Sequence, residues 1–204
     1  MNKSLLPLAG VVALVAPAIA TAPGPAPDAQ GASIDDLVRD CQQTGLEGWE
    51  LVDEATRRVH EAFDHTSLWH LWEGSATALR HGHGWSAQYN GALKHVLREL
   101  GFKVQVVHAA RVHGLGRNPW WNAGHTWLQV AHGGRTLDVC ASRLEHRAGR
   151  VSFVPVTQVR PMNRWTRSLV SLSLSPVVAV QAWRQVLGGA EQPKWLYRGF
   201  DEQV

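Results

Sequence analysis

The 204-residue chain predicts an α+β fold in which one central helix packs on an antiparallel sheet. Three stretches carry that expectation. Tyr89, Leu93, Val96, Leu97 and Leu100 recur at helical spacing and are followed by Gly101, a residue suited to the left-handed position after a helix. Val104-Gln105-Val106-Val107 is compact and β-branched, as a strand requires. Residues 125–130 and 136–140 alternate on either side of His132-Gly133-Gly134, which marks a hairpin. A composition of 45% hydrophobic and 18% charged residues fits one domain that buries its own core.

The elements follow in order. Lys3 precedes an uncharged run, residues 5–20, that ends in Ala18-Ile19-Ala20, which reads as a secretory signal over 1–20. Pro7, Pro17 and a length below the about 20 residues of a membrane span argue against a retained transmembrane helix. Cleavage after Ala20 would remove Lys3 and lower the net charge of +3 by one; without cleavage the chain would be cytoplasmic. A Pro/Gly/Ala-rich linker, 21–32, then leads into the domain, 33–204.

Ser33 with Asp36 forms a capping box that opens a helix over 33–43. Trp49, Val52, Thr56, Val59 and Phe63 make the apolar stripe of a second helix. Residues 67–81 read as short helical pieces capped by Ser67 and Ser75. After the central helix, Ala110-Arg111-Val112 extends the first strand and a Gly/Asn/Pro/Trp-rich loop spans 113–124. A strand over 151–156, a helix starting at Ser175-Pro176 and stopping at Gly188, and a final strip that packs back on the body complete the chain.

The basic residues are scattered, without a block of like charge or a basic-aromatic array, so no nucleic-acid partner is expected. Two cysteines, Cys41 and Cys140, make neither a disulfide framework nor a zinc site. His81 and His83 lack a third ligand signal and read as turn residues, so no metal is expected. Trp85, Trp120, Trp121 and Trp127 flank the chemistry-bearing stretches and suit an aromatic pocket wall.

Gly82-His83-Gly84-Trp85 delivers Ser86 to the start of the central helix, where orphan N–H groups and the positive end of the dipole stabilise a developing anion. Period-two alternation puts His125, Trp127 and Gln129 on one face of their strand, and Thr136, Asp138 and Cys140 on one face of the next. If those faces coincide, His125 and Asp138 are neighbours. Serine then needs His125 to take its proton and Asp138 to fix the His125 tautomer. Cys140 shares that face, as a buried structural thiol or a displaced nucleophile.

Gly84-Trp85-Ser86, Leu97-Arg98-Glu99-Leu100-Gly101-Phe102, Gly124-His125-Thr126-Trp127 and Leu137-Asp138-Val139 together resemble the transglutaminase-like superfamily, whose core is papain-like. Within it the arylamine N-acetyltransferases are the nearest named match. Their glycine-aromatic-cysteine turn, with an acid two positions on and an asparagine four on, lines up with Ser86, Gln88 and Asn90, and Ala110-Arg111-Val112 looks like their segment after the next strand. The resemblance spans residues 75–142 and departs from the family twice: Ser86 stands for the cysteine and Gln88 for the carboxylate.

It implies catalysis by Ser86, His125 and Asp138 on a small-molecule or peptide acyl or amide substrate, bound by Trp85, Trp127, Gln88 and Asn90. Gln88 and Asn90 also read as residues that orient the His125 loop or cap local backbone. A non-catalytic binding module on the same fold remains open, as does acetyl transfer, which alone would require acetyl-CoA; no other cofactor is implied. Acetyl-CoA is an intracellular donor, so export would count against acetyl transfer. Gly84-Trp85-Ser86-Ala87-Gln88 is not an α/β-hydrolase elbow, because the last glycine is missing and His precedes Asp.

Overall fold

The computed structural model describes residues 16, 20–25, 31–115 and 123–202. Most of the expected signal, part of the linker, and Trp120 and Trp121 lie outside the described residues.

The chain is mixed α+β. In order come α1 (Ile34–Gln43), α2 (Gly48–Glu61), β1 (His65–Ser67), α3 (Ser75–His81), β2 (His83–Gly84), α4 (Ser86–Glu99), β3 (Lys103–Ala109), β4 (Val112–His113), β5 (His125–His132) and β6 (Arg135–Val139). Then follow β7 (Val154–Pro155), β8 (Arg160–Pro161), α5 (Arg164–Gly188) and β9 (Tyr197–Gly199). The main sheet has the order β6-β5-β3-β8 and is antiparallel throughout. A second sheet, β2-β1-β9, pairs β1 with β2 in parallel and with β9 antiparallel. Among the described residues no helix is long and apolar enough to cross a membrane.

Helix α4 is the hub. Ala92, Leu93, Val96 and Leu97 are fully buried, and the helix packs on β3 and β5 on one side and on α1, α2 and α3 on the others. Close approach to α3 depends on Gly91, where an added Cβ would collide with Ser75 Oγ. The helix ends at Leu100 with Gly101 at φ +90°, as the spacing implied.

The expected N-terminal capping box forms: Asp36 N donates to Ser33 Oγ at 3.1 Å and Ser33 N to Asp36 Oδ2 at 3.3 Å. The hairpin turns on Gly133-Gly134, both at positive φ, and pairs His132 with Arg135. The final strip packs back on the body as β9.

Several elements differ from expectation. Ser67 ends a strand instead of capping a helix, and Ser75 is the first residue of α3, whose cap position is Gly74. Only Val154–Pro155 of the 151–156 stretch pairs as a strand, and residues 110–112 do not extend β3. The last helix starts twelve residues before Pro176, capped by Asn163, whose Oδ1 accepts from Thr166 N at 2.9 Å. Pro176 lies exposed inside it, and Ser175 Oγ donates back to Ser171 O at 2.8 Å. Burial of Ser171, Val178, Ala179 and Ala182 holds both halves in one helix despite the backbone bond that proline cannot make.

Candidate functional site

Ser86 sits half-buried at the first position of α4, after an extended Trp85. A cavity of about 270 Å³ opens over it, walled by Leu68, Trp85, Tyr89, His108, His125, Leu174, Trp195 and Arg198. Ser86, Trp85 and His125, from two separate parts of the chain, therefore share one cleft. Antiparallel β3–β5 pairing, with Ala109 opposite His125, also brings His108 to it.

The hairpin faces coincide, yet the pairing does not deliver Asp138 to His125. Asp138 stands opposite Gln129; its Oδ1 accepts from Trp127 Nε1 at 2.9 Å and from Gln129 Nε2 at 3.3 Å. The group beside His125 is Cys140, with Sγ 3.2 Å from Nε2. That thiol also donates to Ser142 Oγ at 3.2 Å and receives Asn90 Nδ2 at 3.4 Å.

Electrostatically this core is neutral. Burial, then His146 and His108, lowers the His125 pKa from 6.5 to about 3, and burial pushes the Cys140 thiol up. Imidazole and thiol thus face each other uncharged at neutral pH. A carboxylate in the position of Cys140 would stabilise an imidazolium; a thiol does not.

Three of the residues expected to bind substrate turn inward. Gln88 is fully buried: its Oε1 accepts from Trp85 N at 2.9 Å, and its Nε2 donates to His70 O at 2.6 Å and Glu73 O at 3.1 Å. Asn90, also fully buried, donates to Thr126 O at 2.7 Å and accepts from Ala141 N at 3.1 Å, bracing β5 against the end of β6. Trp127 is 1% exposed, lies nearly parallel to the His125 ring at 6.3 Å and meets Phe153 edge-on. Trp85 alone of the four lines the cleft. Cys41 and Cys140 are both free and buried.

Sequence reasoning missed Trp195 and Arg198, which reach the cleft from the chain end because β9 pairs with β1. No local motif announces them. It also missed Cys140 as the partner of His125, for which the hairpin register held the signal.

A second polar cluster lies at the other side of Gln88. His70 and His83 stack face to face with ring centroids 3.7 Å apart, and Glu73 Oε2 stands 3.3 Å from His83 Nε2 and 3.6 Å from His81 Nδ1. The turn that carries His70 and Glu73 supplies the third ligand type that His81 and His83 lacked in sequence.

A scan of the chain against models of known protein families finds no match, and searches of curated proteins and of solved structures find none either.

Proposed function

We propose that this chain is a degenerate transglutaminase-like domain on a papain-like core, whose cleft binds a small acidic molecule or an acidic peptide segment without transferring an acyl group. The observation that carries this reading is the 3.2 Å approach of His125 Nε2 to Cys140 Sγ, in the position where a Ser-His-Asp triad sets a carboxylate to orient the imidazole and stabilise its charged form. A serine nucleophile depends on its base more than a cysteine does, and His125 is held against protonation. Apolar walls from Leu68, Trp85, Leu174 and Trp195, with Arg198 as the one cationic residue among the described lining, suit a ligand that pairs an apolar body with an anionic group. Export through the leader would place that ligand outside the cell.

Acyl transfer or amide hydrolysis by Ser86, with His125 as sole base, is the second reading, and the shared cleft at the start of α4 favours it. A serine-directed phosphonylating probe separates the two. The binding module leaves Ser86 unlabelled, while N-acyl amino acids quench tryptophan fluorescence saturably in the wild type and not in Trp85→Ala. Labelling of Ser86 that disappears in His125→Ala would overturn the binding reading and establish the enzyme.

A further inference from the structure

We propose that His70, Glu73 and His83 form a binding site for a divalent transition metal, Zn²⁺ by its donor set, with His81 as a fourth ligand at the rim. None of these residues lines the cleft, so the site is separate from the one described above. The ligand atoms of His70, Glu73 and His83 all lie within 4.8 Å of one another. Imidazole nitrogens and a carboxylate oxygen are the donors that zinc takes, and four donors at about 2.0–2.1 Å around a tetrahedral ion stand about 3.3 Å apart. Glu73 Oε2 is 3.3 Å from His83 Nε2 and 3.6 Å from His81 Nδ1, spacings long for direct charge-assisted hydrogen bonds and near that tetrahedral edge.

Burial grades across the cluster as a metal site requires. The side chain of His83 is 1% exposed, Glu73 26% and His81 35%, which leaves an entry path at the rim. The frame is already held, since Gln88 Nε2 ties the carbonyls of both His70 and Glu73 to the first turn of α4. Binding requires one rearrangement. Two imidazoles stacked at 12° cannot both aim a lone pair at one ion, so His70 turns about its Cβ–Cγ bond and gives up its contact with Ser67 Oγ or with Pro23 O.

The experiment uses untagged full chain stripped with chelator and titrated with Zn²⁺ alone by calorimetry, and with Co²⁺ alone by visible absorption. We expect one equivalent of each, d–d bands of tetrahedral intensity for Co²⁺, and a zinc-dependent rise in Tm. Glu73→Gln and His83→Gln should lose the site, and His81→Ala, at the rim, should weaken it without abolishing it. The wild-type cobalt spectrum reads the site without relying on any variant to fold. Absence of saturable binding, octahedral bands, or affinity unchanged in both Glu73→Gln and His83→Gln would overturn the proposal.

Discussion

His125 and Cys140 meet across the hairpin at 3.2 Å, two uncharged groups where a Ser-His-Asp triad opposes an imidazole to a carboxylate. Asp138, on the same strand face, is spent on the indole of Trp127. One residue type at one position thus separates a charged from a neutral site.

A carboxylate at position 140 should charge the site. In Ser86→Cys alone, the new thiol should be lowered below the ordinary cysteine value by the helix N-terminus only, because His125 resists protonation and adds no positive charge. Adding Cys140→Asp should raise the His125 pKa and shift the alkylation profile at position 86 downward by about 1–3 pH units. Iodoacetamide rates between pH 5 and 9 read this directly. An identical profile for the single and double variants would show that His125 does not reach position 86.

Acid should destabilise the fold early. His125 is neutral in the native state down to about pH 3, whereas in the unfolded chain it takes a proton below 6.5, so the unfolded state binds more protons throughout that window. Stability is therefore full above pH 6.5 and falls as pH drops, at about 1 kcal/mol per pH unit for this one group. His108 and His146 are lowered by burial as well and act in the same direction. Urea midpoints measured from pH 7 to 4 should decline for the wild type and decline less for His125→Asn. A flat wild-type profile would refute the buried neutral state.

Asn90→Ala should cost about 2–4 kcal/mol, because it strands the buried Thr126 carbonyl and the Ala141 N–H together. Chemical denaturation measures it. A role confined to substrate contact would leave the midpoint unchanged.

Periodicity made α2, α4 and the β5–β6 hairpin legible, since each repeats its apolar residues at 3.6 or 2. It could not choose between Asp138 and Cys140, which lie on one face two residues apart. Register chooses, and the turn sets register: a two-residue Gly133-Gly134 turn pairs His132 with Arg135, and counting back along the strands sets Asp138 opposite Gln129 and Cys140 level with Trp127, one same-face step from His125. Reading the turn as His132-Gly133-Gly134 loses that information. Pro176 misled for another reason, since proline favours a helix start locally while burial of Ser171 and Val178 on either side holds the helix through it. Trp195, Arg198 and the approach of His70 to His83 depend on long-range packing, for which no local pattern exists.

Gln88 joins two places that sequence distance keeps apart. With one amide it closes the first turn of α4 beside Ser86 and grips the turn of His70 and Glu73 by two carbonyls. The start of the helix and that turn are tied through a single side chain. Losing Gln88 would therefore strand the Trp85 N–H and the His70 and Glu73 carbonyls in one step, loosening both places at once.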